Sequence, residues 1–491
     1  MRSFVGWSLA LVGSLLALAQ PADRYVPADY LSGTLPVLHI DVESGDYIAV
    51  KEPYRQATCW MADTDGTALL GSELTPLALS IKGHGNATFT LQQKKPFRIK
   101  FDKKQSPLGL SRSKHFLLLS HADDFCGQIK DELGFELSRQ LGLAWTPRQV
   151  PVELVLNGDY WGLYYLCEKI RVEGDRVDIE QQADGETAPA MVTGGWLLEI
   201  DNYSSDGQIC LPAPAGKTIR VTVHSPDSLS GVQRDYVDSL LREVNDAVYG
   251  CDIDSGRWEE MIDIDSLALY YLVSEVVDDF EAFSGSCWFH KRRGQGQRIV
   301  FGPVWDFGQS LARVLLGSTT FLYAEPRAQW ADAFWIASIA RSRHFQDVVK
   351  RYFFDFIESG KRQRAVAHVT DFVDHIVVAG QCDRRRWPAV PTNALRYRMG
   401  VGLGAFNTKV DWLLRQWTDS EHHLLCDINL DAVVDVADMN IVLNTMLGKA
   451  DQTAAADVSG DGAVDIADVN AIINTMLGKS KSNNILTIND L

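Results

Sequence analysis

Positive charge is scarce in this sequence. Its 47 lysines and arginines are outnumbered by 64 aspartates and glutamates, which leaves a formal net charge of −17 over 491 residues. A nucleic-acid binder needs a basic stripe on its surface to neutralise phosphate groups, so the composition argues against that class of protein. Part of the acidity is local, because many of the aspartates fall in the C-terminal part of the chain.

Zinc-ligand patterns are missing as well. None of the eight cysteines belongs to a C-x-x-C pair or has a histidine at zinc-ligand spacing. An exported protein can form disulfides, but their connectivity does not follow from cysteine spacing in a chain of this length. We therefore expect mostly buried free thiols, with at most one bridge.

Long apolar runs are absent beyond the N-terminus. There, Arg2 precedes an apolar run from Phe4 to Ala19 that ends in an A-x-A pattern. These features predict a secretory signal peptide over residues 1–19, cleaved before Gln20. A membrane anchor is disfavoured because the run is shorter than the roughly 20 residues of a span and lacks a basic C-terminal flank. The mature protein is expected to be periplasmic, cell-surface or extracellular, with no membrane span.

The rest of the chain is long enough for about three domains. After a polar leader at 20–34, short runs alternate between apolar and polar residues from Leu35 onward. They predict a β-rich lobe with strands at 36–42, 47–54, 77–83, 89–92, 95–101, 114–119, 150–156, 160–170 and 195–201. Helical periodicity marks residues 129–141, 228–249, 263–277 and 345–360. The predicted fold is α+β and bilobal, and clefts between two such lobes commonly bind ligands.

The stretch from Glu275 to Leu311 organises the helical lobe. Two apolar runs, Cys287–His290 and Ile299–Val304, are joined by a basic, glycine-containing turn, which predicts a β-hairpin. Antiparallel pairing should bring Asp306, after the second strand, beside the acidic residues before the first strand. Carboxylates grouped in this way repel one another unless a cation or a proton lies between them, so the hairpin predicts a metal site. The acidic residues in question are Asp278, Asp279 and Glu281.

The C-terminus contains an internal repeat. Segments beginning at Asp427 and Asp457 match almost residue for residue, with an offset of 30 (457 − 427). Each carries side-chain oxygens at positions 1, 3, 5, 9 and 12 of a loop, the spacing with which EF-hand-like loops bind calcium. An apolar helix follows each loop and is expected to end at Gly448 or Gly478. The predicted Ca2+ ligands are Asp427, Asn429, Asp431, Asp435 and Asp438 in the first loop and Asp457, Ser459, Asp461, Asp465 and Asp468 in the second.

No helix-forming segment precedes either loop, so each repeat is half of an EF-hand. Loop plus exit helix, duplicated and with Asp at position 12, resembles a type I dockerin domain. The resemblance implies a small all-α, calcium-binding module that presents a helical surface to a cohesin-like or other dockerin-binding partner. Ala432 stands where the first loop would usually have glycine. A solvated acidic turn is the alternative, and the duplication argues against it.

Three further stretches together resemble the spore-coat CotH kinase family: Ile81–Lys100, Asn157–Ile170, and the hairpin with Gly302–Gly308. The resemblance implies an atypical protein-kinase-like fold, with a β-rich N-lobe and a helical C-lobe. Such a protein transfers the γ-phosphoryl group of ATP to Ser or Thr of a protein acceptor and uses Mg2+. The predicted organisation is signal peptide 1–19, leader 20–34, kinase-like domain 35–418, linker 419–426, dockerin-like domain 427–480 and tail 481–491.

Phosphoryl transfer needs cations for the triphosphate, carboxylates for the metal and a base for the acceptor hydroxyl. The CotH resemblance implies residues for each need. Those for ATP are Lys95, Arg98, Lys130, Glu168 and Lys169; those for Mg2+ are Asp306 and Ser286; the catalytic residues are Glu281, Asp279 and Asp306. Since neighbouring strand residues point to opposite faces, only one of Glu168 and Lys169 is expected to face the cleft. Lys94 is interpreted as part of a solvated strand face, and Asp278 as a residue that caps or solvates a loop.

Four positions depart from the family pattern. Glu281 stands where the family has its catalytic Asp, and the extra methylene changes the reach of the carboxylate, to which a near-attack geometry is sensitive. Lys130 and His84 each replace an Arg, and Gly308 occupies a position where a second metal-binding Asp often lies. Together these changes leave open whether kinase activity is retained.

Two other functions compete with the kinase. Dockerins often belong to polysaccharide-degrading enzymes, and a hydrolase would use two carboxylates roughly 5–9 Å apart, for which Glu168 and Glu199 are the candidates. That scheme gives Asp306 and the basic residues no role. The third possibility is a non-catalytic pseudokinase or surface adaptor, which the changes at Glu281 and Gly308 favour.

Overall fold

Two structural units make up the described part of the chain. The computed structural model is described over residues 25–203, 208–323, 334–419, 426, 428, 434–449, 456, 458 and 463–477. The predicted signal peptide, the tail, Gly478 and the first three ligands of each calcium loop lie outside these residues. Unit 1 contains Met1–Ala122, Val150–Cys167 and Val378–Asn393; unit 2 contains Asp123–Gln149, Glu168–Val377 and Ala394–Leu491.

Unit 1 is built around an eight-stranded sheet with the strand order β1-β7-β8-β6-β5-β4-β2-β3. Strand β1 pairs in parallel with β7 and in antiparallel fashion with β2, so the sheet closes on itself and leaves few unpaired edges. The strands are β1 (Val37–Val42), β2 (Arg55–Ala62), β3 (Ala68–Leu70), β4 (Leu77–Gly83), β5 (Phe97–Gln105), β6 (Ser113–Leu119), β7 (Gln149–Leu156) and β8 (Asp159–Glu168). Two short helices accompany them, α1 (Pro27–Tyr30) and α2 (Ala87–Leu91).

Alternating side chains fill the inside of this closed sheet. On β5, Phe97, Ile99 and Phe101 are at most 1% exposed, whereas Lys100 between them is exposed. The pattern is that of a strand with one face in an apolar core, and burial of each such side chain contributes about 1.5–3 kcal/mol. The β-rich N-terminal region predicted from the sequence is therefore confirmed.

Two of the predicted strands are wrong. Residues 47–54 form no strand, because Pro53 has no N–H to donate to a ladder and the segment instead buries Ile48 from an irregular path. Residues 89–92 lie largely in helix α2, where Phe89 packs so closely on Gly83 that a Cβ there would be 2.2 Å from the ring. A short apolar run does not distinguish a strand from a helix by periodicity.

Lys94 is buried, and its interpretation as a solvated strand residue is wrong. Its Nζ lies 2.8 Å from Asp383 Oδ1, and both side chains are fully inaccessible. Asp383 also accepts hydrogen bonds from Leu163 N (2.9 Å) and Thr392 Oγ1 (3.0 Å). Gly162 makes room for the carboxylate, since a Cβ at that position would be 2.1 Å from Asp383 Oδ1. The pair therefore joins β8 and the C-terminal end of α9 (Lys361–Arg386) inside unit 1.

Removing one charge of this pair should cost more stability than removing both. Lys94→Met leaves the Asp383 carboxylate buried without its cation and should destabilise the chain by about 3–5 kcal/mol. Lys94→Met with Asp383→Asn removes both charges, keeps an acceptor oxygen for Leu163 N, presents an amide N–H to the Thr392 hydroxyl, and should recover part of that loss. Thermal unfolding of the full-length chain measures both effects. A double variant no more stable than Lys94→Met would contradict the ion-pair role.

Unit 2 combines a five-stranded sheet, in the order β10-β11-β9-β12-β13, with most of the helices. Its strands are β9 (Trp196–Ile200), β10 (Ile209–Pro212), β11 (Thr218–Ser225), β12 (Cys287–Lys291) and β13 (Ile299–Phe301). Its helices are α3 (Lys130–Leu141), α4 (Gly231–Tyr249), α5 (Ile264–Val276), α6 (Ala312–Leu315), α7 (Trp335–Ile339), α8 (Arg343–Glu358), most of α9, α10 (Leu395–Asp419), α11 (Val436–Met446) and α12 (Ile466–Met476). The helical C-terminal half predicted from the sequence is confirmed, with α3, α4, α5 and α8 at the expected positions.

The predicted hairpin forms. β12 and β13 pair in antiparallel fashion with Phe289 opposite Phe301 and Lys291 opposite Ile299, and β9 flanks β12 on its other side. All eight cysteines lie among the described residues and all are free thiols, five of them buried, so no bridge forms. Within the described ranges, no helix is long and apolar enough to cross a bilayer.

Candidate functional site

The loop between α5 and β12 carries the acidic residues of the hairpin. It is shaped by backbone hydrogen bonds from Ala282 N to Asp279 O (3.2 Å) and from Ser284 N to Glu281 O (2.9 Å). Asp278 has a positive φ of 52°, which reverses the chain directly after the helix. The loop therefore ends in a tight series of turns from which successive carboxylates point in different directions.

Asp278 is a structural residue, and its interpretation as a residue that caps or solvates a loop is wrong. The side chain is fully buried, and Arg313 donates to both of its oxygens, from Nη2 at 2.5 Å and from Nε at 3.0 Å. Lys409 Nζ lies 3.1 Å from Asp278 Oδ1 and also pairs with the buried Glu275 at 2.5 Å. Two carboxylates and two cations thus balance, and they fix the start of the loop to α5, α10 and the segment around Arg313.

Helix α3 holds the segment that contains Asp306. The backbone N–H of Phe307 donates to Asp131 Oδ1 (3.0 Å), and Lys130 Nζ donates to Gly308 O (2.7 Å). The Phe307 ring lies against Gly134, where a Cβ would be 2.3 Å from the ring. Residues of the first two turns of α3 therefore fix the segment that directly follows Asp306, and Asp306 itself has a positive φ of 63°.

Asp306 stands among other negative charges. Its pKa is raised to about 7 by desolvation and by the charges of Asp131, Glu281 and Asp123. The Asp306 side chain is exposed to solvent, so the neighbouring carboxylates, rather than burial, are the main cause of its raised pKa. Ser286 Oγ lies 3.4 Å from Asp306 Oδ2, so the predicted Mg2+ ligands Asp306 and Ser286 are brought together.

Asp279 and Glu281 belong to the same acidic group. Asp279 is 1% exposed, and burial followed by the charges of Glu281 and Asp306 raises its pKa well above the ordinary value. Its Oδ1 has no hydrogen-bond partner within the described part of the chain. Burial also raises the pKa of Glu281. We define the acidic cluster as Asp123, Asp131, Asp279, Glu281 and Asp306.

These carboxylates interact electrostatically without forming a closed metal cage. Among the described residues, no three His, Cys, Asp or Glu side chains are arranged to hold a metal ion. The chemistry of the group still suits a hard divalent cation, which prefers one or two carboxylates and otherwise keeps water or phosphate oxygens. A cation at Asp306 would also relieve the repulsion that raises its pKa, so the residues present fit Mg2+.

The predicted ATP-binding residues of unit 2 have well-defined partners. Glu168 is fully buried and accepts from Arg148 N (3.0 Å) and Nη2 (3.1 Å). Lys169 is half-buried, and its Nζ donates to Ile170 O (3.3 Å). Lys130 makes the Gly308 contact described above. Their roles toward ATP remain predictions.

The predicted ATP-binding residues of unit 1 lie on or beside β5. Lys95 is 6% exposed, and its Nζ donates to Phe89 O (2.5 Å) and lies over the Phe89 ring. Burial lowers the pKa of Lys95. Arg98 is half-buried, with its guanidinium 5.8 Å from the centre of the Tyr54 ring.

Three residues of the site escaped the sequence reasoning. Asp123 and Asp131 lie far along the chain from the hairpin, and only the packing of α3 brings them to Asp306. Tyr203 Oη donates to Glu281 Oε1 (2.9 Å) from the loop after β9. The one signal in the sequence was the acidic pair at the start of α3, Asp131 and Glu132. It is a weak signal, because the helix dipole favours acidic residues in the first turn of any helix.

Glu168 and Glu199, the hydrolase candidates, both have protein partners. Glu199 is 7% exposed and lies 2.6 Å from His224 Nε2, while Glu168 is bound by Arg148. Neither carboxylate is presented to solvent as a free acid or nucleophile would be.

The described parts of the two C-terminal repeats have nearly identical geometry. Asp435 and Asp465 cap α11 and α12 with φ values of −143°, and each accepts from the N–H two residues on at 2.6 Å. Asp438 and Asp468 are fully buried and complete capping boxes by accepting from the N–H of the cap residue. Val442, Val469 and Ile472 form a common core with Cys426 and Ala456. Gly448 has the expected left-handed conformation with φ of 66°.

The chain combines two parts. The first is a mixed α/β part with an acidic cluster that is a candidate cation site, and the second is a C-terminal module in which a segment ending in a capped helix is duplicated. Family models match residues 79–413 to CotH kinase protein and residues 425–477 to Dockerin type I domain. Since the first match covers more than half of the chain, the chain belongs to the CotH kinase protein family and carries a C-terminal dockerin domain. No curated protein matches the chain in a sequence search.

The dockerin match has three general implications. Dockerin domains bind calcium, they bind cohesin partners, and they are typically extracellular or at the cell surface. The match begins at residue 425, close to the predicted boundary at 427.

Asp306→Asn should stabilise the chain in metal-free buffer at neutral and higher pH. The folded-state pKa of Asp306 lies above its ordinary value, so wild-type stability falls as pH rises from about 4 to about 7. Asn carries no charge and avoids that loss, with an expected gain of roughly 1–2 kcal/mol after allowance for solvent screening. Thermal unfolding of both chains with a chelator measures it. A difference that does not grow across this pH range would contradict the like-charge origin of the shift.

Proposed function

We propose that this protein is an exported atypical protein kinase that transfers the γ-phosphoryl group of ATP to Ser or Thr of an extracytoplasmic protein. The single observation that carries the proposal is the crowding of Asp123, Asp131, Glu281 and Asp279 around Asp306. Uncompensated like charges cost stability, and a divalent cation is a simple way to offset that cost. Membership of the CotH kinase protein family supports the same reading. The kinase-like bilobal arrangement and the signal peptide belong to the proposal.

In this proposal three residues of the acidic cluster have distinct roles. Asp306, with Ser286 beside it, would hold Mg2+, which when bound neutralises charge on the phosphate oxygens. Glu281 accepts the proton of the acceptor hydroxyl, for which its raised pKa suits it. Asp279, which is buried and is raised in pKa by Glu281 and Asp306, is proposed to hold a proton beside them.

Basic residues would bind the nucleotide. Lys130, whose Nζ donates to the carbonyl of Gly308 two residues after Asp306, is proposed to contact the phosphates. Lys95, Arg98, Glu168 and Lys169 complete the proposed ATP set by family resemblance. Glu168 acts through Arg148, which it holds by two hydrogen bonds, rather than by direct contact with the nucleotide.

A non-catalytic nucleotide-binding adaptor is the second candidate. Glu281 is longer than the family Asp, and Gly308 supplies no second carboxylate, so binding without transfer is the specific alternative. A polysaccharide hydrolase is disfavoured because both of its candidate acids, Glu168 and Glu199, are paired with basic partners.

Labelled ATP distinguishes these functions. The purified chain with Mg2+ should transfer label to a degenerate Ser/Thr peptide mixture. Asp306→Ala should lose transfer by about a hundredfold or more, since a metal-dependent charge contact is removed. Glu281→Gln, which keeps size and loses basicity, should lose about 10²–10⁴-fold. Nucleotide binding without transfer supports the adaptor, and no binding at all would contradict both.

The dockerin domain is proposed to tether this kinase to a cohesin-like partner through calcium-loaded loops. Calcium should raise the unfolding temperature of the C-terminal module, because hard oxygens of each loop wrap the ion. Asp457→Ala with Asp461→Ala should abolish the contribution of the second loop, whereas Asp465→Asn, which retains a capping side chain, should weaken it less. Calorimetry with and without calcium measures both. A calcium response unchanged by the double variant would contradict the assignment.

A further inference from the structure

Tyr203 makes the contact that an acceptor hydroxyl would make. Its phenol donates to Glu281 Oε1 at 2.9 Å, and the residue is 50% exposed. A general base for phosphoryl transfer must lie within hydrogen-bond reach of the hydroxyl whose proton it takes. If Glu281 is that base, as proposed above, Tyr203 is the hydroxyl already bound to it.

The surrounding loop holds Tyr203 in this position. Asn202 N donates to Ser284 O (3.1 Å), and Asn202 Oδ1 accepts from Arg220 N (2.9 Å), so the backbone is fixed on both sides. Tyr203 N donates to Asp201 Oδ1 (3.0 Å). The Tyr203 ring rests on Gly285, where a Cβ would be 2.4 Å from Cε2. A glycine under the ring is therefore required for the phenol to reach Glu281 along this path.

We propose that Tyr203 is an intramolecular phosphorylation site of this protein. The inference rests on the proposed kinase function. The phenol oxygen attacks the γ-phosphorus of a nucleoside triphosphate and forms a new O–P bond. The bond from the γ-phosphorus to the β,γ-bridging oxygen breaks, the nucleoside diphosphate leaves, and the phenol proton passes to Glu281. No oxidant or further reactant is needed.

Tethering explains how a tyrosine can react at a site proposed for Ser and Thr. A hydroxyl held against the base replaces a bimolecular encounter, and well-oriented intramolecular groups reach effective concentrations of about 10⁵ M or more. The product carries a charge of about −1.5 to −2, next to Glu281 and near Asp306. Repulsion should drive the phosphotyrosine away from the base, which then becomes available to a protein acceptor.

Mass spectrometry of the full-length chain tests this inference. Incubation with Mg2+ and ATP should add one phosphoryl group to Tyr203, at a rate independent of protein concentration. Tyr203→Phe should remove the modification, and Tyr397→Phe, at an exposed tyrosine on α10, should not. Gly285→Ala retains the hydroxyl but displaces the ring, so it should slow the modification at least tenfold. A degenerate Ser/Thr peptide mixture in the same reaction reports transfer to external acceptors.

Several outcomes would overturn the inference. If the peptides are labelled and Tyr203 is not, the inference fails while the proposed kinase function stands. If labelling of Tyr203 accelerates with protein concentration, it occurs between molecules and the intramolecular site is wrong. Labelling at full rate in Gly285→Ala would contradict the packing argument. If the chain neither binds ATP nor labels anything, the proposed function fails and the inference fails with it.

Discussion

Electrostatic repulsion at the end of the β12–β13 hairpin is the constraint that distinguishes the candidate site around Asp306 from the rest of the structure. Asp306 follows the second strand, and Glu281 and Asp279 precede the first. Helix α3 adds Asp131, so these four carboxylates lie near enough to one another to raise the pKa of Asp306 and of Asp279. The two residues that follow Asp306 are held in place, because Asp131 and Lys130 of α3 bind the backbone of Phe307 and Gly308. Rigid crowding of like charges is costly in a fold that needs only stability, and it is typical of sites that bind cations or move protons.

Adjacent residues in one loop illustrate the difference between structural and functional charge. Asp278 is buried and compensated by Arg313 and Lys409, and it takes part in a network of balanced charge. Asp279, the next residue, has an oxygen without a hydrogen-bond partner in the described ranges and faces further negative charges instead. The first residue fixes the loop, whereas the charge of the second has no cation beside it among the described residues. The network at Asp278 thus provides the rigidity that lets its neighbours remain uncompensated.

The sequence predicted those parts of the site that arise from local pairing. The apolar runs and the turn were sufficient to bring Asp306 back to Glu281, and a four-residue period was sufficient for α3. What the sequence could not predict depends on contacts between distant segments. Asp131 meets Phe307, Lys94 meets Asp383 and Tyr203 meets Glu281, and no local pattern encodes these distant pairings. The predicted strand at 89–92 failed for the related reason that Phe89 takes its conformation from packing on Gly83 rather than from its own run.

If the acidic cluster is a divalent-cation site, the number of metal ions bound per chain should depend on Asp306. Manganese can substitute for magnesium and is counted by electron paramagnetic resonance. The two chains to compare are one that retains Asp306 and one that carries Asp306→Asn, and both should carry Asp457→Ala and Asp461→Ala to remove the second calcium loop. At about pH 8 we expect the chain that retains Asp306 to bind one more Mn2+ ion than the Asp306→Asn variant. The difference should disappear below about pH 6, because protons compete for the carboxylate. Equal Mn2+ stoichiometry in the two chains would contradict a divalent-cation site at Asp306.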